Sequence, residues 1–327
     1  MTHFYFAACA APEEGGGVYH YVRAGDGLVF RDRLPCDRPM YLHLSGLEMR
    51  VILRAPYERE NSDRKRFSAL ATCPVGPDGG LGEPVETVCT QGVVACHLCR
   101  FQGNTYAVNY LSGSVFSTNG ALDVHAGRGV HPARQESAHT HFIAPGPTGS
   151  DLLLTDLGLD AVYCYDASLK VLSVAHVPAG HGARHLAYAG QTVFCANELG
   201  NSVTVFNYEN HRLVPGETVP VLDHPARDST AAAIRTAGDW VYVSNRGDDS
   251  ISCLHWRNGR LRLCRTVPAG GASPRDFLIA GGWLLAANEK SNTVTVLKGA
   301  ADEWQNTGLS LRMPAPLCVV AREQENP

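Results

Sequence analysis

Residues 193–206 read VFCANELGNSVTVF. A short apolar run stops at Asn197, a turn follows, and residues 202–206 alternate with β-branched side chains. Period-2 alternation of this kind predicts strand, and Asn favours the turn because its side chain bonds its own local backbone. The unit therefore reads strand, Asx turn, strand. It recurs. Thr105–Asn109 (TYAVN), Leu152–Asp156 (LLLTD), Val241–Asn245 (VYVSN) and Leu284–Asn288 (LLAAN) end in the same way, with the Asx residues spaced by 47, 41, 48 and 43. Six residues beyond each Asx stands a β-branched residue: Val115, Val162, Val203, Ile251 and Val294.

About twelve residues before each Asx lies another short segment: Cys96–Leu98, Arg184–Leu186, Ala232–Ile234 and Arg275–Phe277, with His139–Phe142 a few residues further back. Weaker copies start at Tyr41–Leu44 and Leu317–Val319. Seven starts, a period of roughly 40–45 residues and about four short strands per unit predict an all-β, seven-bladed β-propeller. Leu317–Val319 begins a unit that the chain cannot finish. Phe4–Cys9 (FYFAAC) and Val18–Val22 (VYHYV) supply its next strands, so N- and C-terminal strands should share one blade and close the ring. No linker divides the repeats, and residues 1–327 read as one domain. The stretch from Arg50 to Cys99 fits worst. Leu53–Pro56 replaces the apolar-Asx ending and a charged loop, Glu58–Arg66, follows, which predicts an insertion or distortion in the second blade.

Composition agrees. Charged residues are 18% and Gly 33 of 327, which suits short strands and tight turns better than long solvent-facing helices. A net charge of −4 without a like-charge run gives no global basic field for nucleic acid. No apolar run of 18 residues appears, so no transmembrane helix is expected and no membrane partner is implied. Met1–Ala11 has no Lys or Arg ahead of its apolar residues and does not read as a signal peptide. With an odd count of eleven cysteines, that predicts reduced thiols and a cytoplasmic location.

A propeller brings equivalent positions of successive blades around one axis, so residues 40 or more apart can face one another at its mouth. The Asx residues themselves read as structural turn-closers. The residue after each is more varied: Tyr110, Leu157, Glu198, Arg246 and Glu289. The strand-start position carries His97, His139, His141, Arg184 with His185, and Arg275 with Asp276. Any one of these could be a solvated turn residue or a satisfied core histidine. Together at one mouth they offer guanidinium forks for an anion, an imidazole for proton transfer and a carboxylate to orient or neutralise. A metal is not expected. His139 and His141 share a strand face, but no third ligand is evident and the arginines would repel a cation. Cys96 and Cys99 form a lone CxxC whose odd spacing should place them on opposite faces. No nucleophile elbow or phosphate-binding glycine loop occurs.

At these residues the sequence resembles the seven-bladed propeller lactonase family, which includes bacterial 6-phosphogluconolactonases and fungal 3-carboxy-cis,cis-muconate lactonizing enzymes. The resemblance rests on CHL then NYLSGSV (96–98, 109–115), HTHF then DLGLDAVYCYD (139–142, 156–166), and GARHL then NELGNSVTVF (182–186, 197–206). It continues with VYVSNRGDDSI (241–251), SPRDF then AANEKSNTVTV (273–277, 286–296), and APLCVV (315–320). It implies a site at the propeller mouth with His141, Arg184, Glu198 and Arg246 as the catalytic set, and His139, His185, Asn245 and Arg275 as substrate contacts. It implies no metal or organic cofactor. The expected activity is hydrolysis of a small anionic lactone, 6-phosphogluconolactone first, with His141 or Glu198 as general base. A cycloisomerase acting on a carboxymuconate-type acid would use the same groups. A purely binding propeller would have no reason to gather them.

Overall fold

Why the repeats read as near-continuous apolar runs rather than clean alternations is visible in VFCA, residues 193–196. Val193 and Cys195 pack against one neighbouring sheet, with Phe142, Leu153 and Val162. Phe194 and Ala196 face the other way and pack with Ile234, Val241 and Val243 of the next sheet. Both faces of the strand are buried, so both alternating sets must be apolar. Each blade is sandwiched between two others, and only the tips and outer edges meet water.

The computed structural model describes residues 1–57, 59–224 and 228–323. It contains seven four-stranded antiparallel sheets arranged as blades of one ring. The innermost strands are Pro316–Glu323, Pro39–Ser45, Ala95–Phe101, Thr140–Pro145, Ala183–Ala189, Thr230–Ala237 and Pro274–Ala280, defining blades one to seven. Each contacts the innermost strand of the blades on either side. Blade one is built from both chain ends: Pro316–Glu323 pairs with Thr2–Ala8, followed by Gly17–Ala24 and Gly27–Pro35. Blade two carries the expected insertion. After Glu48–Leu53, residues 54–57 and 59–68 lie outside the sheet, which resumes at Ala69–Pro74. No helix is long and apolar enough to cross a membrane. All eleven cysteines are unpaired.

The Asx residues close the hairpin between the second and third strands of their blades. Asn197 Nδ2 donates to Ser202 Oγ and Thr204 Oγ1, both at 2.9 Å. Asn245 Nδ2 does the same with Ser250 Oγ (3.0 Å) and Ser252 Oγ (2.7 Å). Asp156 has no N–H to give. It accepts instead, from the backbone N–H of His139 (2.8 Å) and Leu159 (3.1 Å). Each closure ends the second strand at the same height in its blade and fixes where the following residue points.

Candidate active site

Every innermost strand begins with a break in register. In blade five, Ala183 opposes Asn197 and His185 opposes Ala196, so Arg184 is an extra residue that bulges out of the ladder. The same break singles out Met40, Cys96, His141 and Arg275 in blades two, three, four and seven, and Leu317 in blade one. Blade six breaks over Ala232 and Ala233. A bulge re-aims one side chain, and in six of the blades that side chain reaches the propeller mouth. Met40, Cys96, His141, Arg275 and Leu317 line one cavity of about 400 Å³ at the propeller mouth. Arg184 lies just beneath, in a narrow continuation shared with His141 and Arg275.

The second ring of residues follows the strand-two ends. Cys9, Arg54, Tyr110, Glu198, Arg246 and Glu289 all line the cavity; only Leu157, fully buried, does not. Arg134 joins them from the connection between blades three and four. The approach to the inner strands is strained. Arg38, Val94, Ser273 and Ala315 immediately precede four of them with φ of 45°, 56°, 62° and 38°. Left-handed backbone is unfavourable for such residues, most of all β-branched Val94, at about 1–3 kcal/mol each, and it gathers here at the rim. Blade five uses Gly182 (φ 69°), where a Cβ would also meet Leu199 at 3.0 Å.

Glu198 is the electrostatic centre. Its Oε2 accepts from Arg184 Nε at 2.8 Å and lies 2.9 Å from Arg246 Nη2, while its Oε1 pairs with Arg134. Burial alone would push this carboxyl up, but Arg246, Arg184 and Arg134 hold it well below the usual range. Arg184 is unfavourably placed by comparison. Burial, then the neighbouring Arg246, push its guanidinium down to about 9 despite Glu198. The contrast has a simple cause: one carboxylate serves three guanidiniums, so it is over-compensated and the most buried of them is under-compensated. Arg184 Nη1 is buried without a hydrogen-bond partner. His141 is neutral. Burial, then Arg184, push its imidazole well below 6.5, and no described protein group hydrogen-bonds either ring nitrogen.

Beneath His141 the residues following the bulges form an aromatic layer. The His97 ring lies 4.1 Å from Tyr41, 4.2 Å from Phe142 and 5.4 Å from His185 (centroid to centroid). This layer separates the mouth cavity from a second one of about 420 Å³, lined by Tyr41, His97, Phe142 and inner-strand residues further along the channel. His185, read from sequence as a substrate contact, belongs to this layer, with its ring 5.2 Å from that of His141.

The structure thus brings His141, Glu198, Arg246 and Arg275 onto one cavity wall, with Arg184 and His185 below. It does not bring Asn245 or His139 there. Asn245 is fully buried in its turn. His139 stacks on Tyr110 at 4.4 Å and its Nδ1 lies 3.0 Å from the Tyr110 carbonyl, so Tyr110 stands between the two histidines. Cys96 and Cys99 do not take opposite faces. The bulge at Cys96 resets the alternation, and both pack in the cluster between blades three and four. Sequence reasoning missed Cys9, Arg54 and Arg134. The first two hold the same register position as Glu198 and Arg246, but Ala8 and Leu53 stand where the Asx marker should be. Arg134 lies between repeats and had no marker. Among the described residues, Asp151, Cys164 and His211 are the one group with ligand atoms close enough to hold a metal. They lie outside the cavity, and Asp151 Oδ2 already has Cys164 Sγ (2.8 Å), Tyr208 Oη (2.6 Å) and His211 Nδ1 (2.8 Å) around it.

The seven-bladed ring agrees with the comparisons. Residues 36–321 match the profile of "Lactonase, 7-bladed beta-propeller". The chain belongs to that lactonase family. It is 30% identical over 258 residues to the 6-phosphogluconolactonase of Bacillus subtilis, covering 70% of this chain and 73% of that one. A putative 6-phosphogluconolactonase from Bacteroides fragilis superposes with a TM-score of 0.86 at 23% identity, covering 98% of each chain. The periplasmic gluconolactonase PpgL of Pseudomonas aeruginosa superposes with a TM-score of 0.85 at 21% identity, over 99% of this chain and 100% of that one. At those identities the two structures speak for the propeller fold alone.

Proposed function

We propose that this protein hydrolyses a small anionic lactone, with 6-phosphogluconolactone as the leading substrate. The observation that carries the reading is an unengaged, neutral histidine beside a buried arginine with a spare donor, in a cavity where arginines outnumber carboxylates. The B. subtilis relative supports the choice of substrate by its name.

Lactone hydrolysis needs a base for water and a donor for the charge that builds on the carbonyl oxygen. His141 is suited to the first task because its lone pair is free at neutral pH. Glu198 is not, since both its oxygens are occupied by guanidiniums and its carboxyl is held far below neutrality. Its role is to gather and orient Arg134, Arg184 and Arg246. Arg184 Nη1 and Arg246 are the donors for the developing oxyanion. His141 takes a proton from water as the oxygen bonds to the carbonyl carbon. The ring C–O bond then breaks, and the imidazolium returns the proton to the departing ring oxygen, which becomes the new hydroxyl. No cofactor enters the balance.

The test is a coupled assay. The lactone is formed in place from glucose 6-phosphate by its dehydrogenase, and 6-phosphogluconate is followed with the second dehydrogenase. Turnover above the spontaneous rate, lost in His141→Asn, is the expected result. Folded protein without turnover would move the substrate to other lactones or to carboxymuconate-type acids.

A further inference from the structure

Arg54 is the cation of the cavity that the catalytic cluster does not absorb. Pro39 opposes Leu53 in blade two as Ala183 opposes Asn197 in blade five, so Arg54 holds in its blade the position of Glu198. Its backbone is pinned on both sides. Its N–H donates to the Arg38 carbonyl at 3.1 Å, and its carbonyl accepts from Ser68 Oγ at 2.5 Å, while the same Oγ accepts from the Ala95 N–H at 2.9 Å. The excursion that follows is braced by another arginine. Arg66 donates through Nε to the Tyr57 carbonyl (2.9 Å) and through Nη2 to that of Pro56 (3.1 Å), which leaves the Arg54 side chain out of that task.

The other arginines of the cavity are engaged. Arg134, Arg184 and Arg246 share Glu198, and Arg275 Nη1 lies 3.4 Å from Glu289 Oε2. Arg54 is exposed at the cavity wall and makes no ion pair with any described residue. Its place in the ring adds direction. Glu198 and Arg184 belong to blade five and Arg246 to blade six; blade two is three blades from each around a ring of seven, directly across the axis. One way around the ring, Cys9 and Leu317 of blade one and the paired Arg275 and Glu289 of blade seven lie between the two ends; the other way stand Tyr110 and Leu111 of blade three. The cavity therefore has a reacting end and, opposite it, a guanidinium that no described residue pairs with.

We propose that Arg54 anchors a phosphate monoester carried by the substrate outside its lactone ring, and so sets the preference for phosphorylated over unphosphorylated lactones. This rests on the lactonase reading above. In 6-phosphogluconolactone the phosphate sits on the exocyclic C6 arm and the carbonyl is in the ring, so the two can meet different groups of one cavity. A guanidinium fork matches phosphate geometry with two parallel hydrogen bonds, which Lys cannot reproduce.

The experiment compares kcat/KM on 6-phosphogluconolactone and on glucono-δ-lactone for the wild type, Arg54→Ala and Arg54→Lys. The ratio of the two should fall by about 10- to 100-fold in Arg54→Ala, as expected for losing charge-assisted hydrogen bonds, through KM rather than kcat, and recover in part in Arg54→Lys. A ratio within twofold of wild type overturns the proposal, even if both activities change. A wild type that hydrolyses neither lactone sinks the lactonase reading instead, and Arg54 is then judged by binding alone. Inorganic phosphate and tricarballylate are titrated against thermal stability in wild type and Arg54→Ala. Loss of the phosphate-induced shift in the variant keeps Arg54 as the phosphate anchor; loss of the tricarballylate shift alone, or no phosphate-induced shift in the wild type, rejects it. Equal shifts in both proteins reject it.

Discussion

Replacing Arg184 by Met should leave the protein at least as stable as the wild type while removing its turnover. The guanidinium is 1% exposed, its pKa is pushed down to about 9 by burial and by Arg246, and Nη1 has no partner. A depression of that size means that the charged form is disfavoured in the fold by several kcal/mol. Against this stands the loss of the Nε bond to Glu198, worth about 1.5–3 kcal/mol as a charged hydrogen bond. Glu198 itself keeps Arg134 and Arg246. Exchanging a buried ion for an apolar group of similar volume is often neutral or stabilising by about 1–4 kcal/mol. With an unfolding entropy near 2.1 cal/mol/K per residue, that upper range corresponds to a melting temperature higher by about 1–6 °C for this chain. A second variant checks the cause. If burial of the charge is the cause, Arg184→Lys, which keeps a buried cation, should lack the stability advantage of Arg184→Met, measured by thermal denaturation side by side at pH 8. A fall of more than about 3 °C in Arg184→Met at pH 8 would show that Arg184 is net cohesive and would refute this reasoning.

Glu198→Gln should behave in the opposite way, because it leaves three guanidiniums around a neutral amide. Breaking such a buried set costs about 3–5 kcal/mol, or roughly 4–7 °C in melting temperature, and the deficit should persist down to pH 5 and shrink below about 4.5, where this carboxyl takes up a proton in the unfolded wild-type chain but not yet in the folded one. A variant as stable as wild type at pH 7 would contradict this. His141→Asn should lower kcat by about 10²–10⁴, and in the wild type the acid limb of kcat/KM should have its midpoint below 6.5, since the imidazole stays neutral there; a midpoint at or above 6.5 would assign the limb to another group. Asn197→Ala should cost about 1–3 kcal/mol in urea denaturation by removing the two hydrogen bonds that Asn197 Nδ2 donates to Ser202 and Thr204, and a neutral result would remove the turn-closing role given to the Asx residues.

The architecture was legible in the chain because its signals are local. Alternation, a β-branched residue six beyond each Asx, and turn chemistry are carried by a dozen consecutive residues, and their recurrence implies a ring whatever the rest of the chain does. Even the shared blade followed, since Leu317–Val319 reads as the start of a unit and Phe4–Cys9 as its next strand, as they pair in the fold. The membership of the cavity was legible where the Asx marker survives, as at Glu198, Arg246 and Glu289. It was lost at Arg54 and Cys9, where Leu53 and Ala8 replace the marker and only strand pairing shows the equivalence.

What the tertiary structure alone decided is which side of each strand start faces the axis. A one-residue bulge swaps the faces of a strand, and no local pattern distinguishes His141 from His139, or Arg184 from His185, until the ladder on either side is seen. The charge arrangement was likewise out of reach. That Glu198 is an anchor and His141 a free base depends on three arginines drawn from residues 134, 184 and 246, and summed fields depend on distances through space, not along the chain.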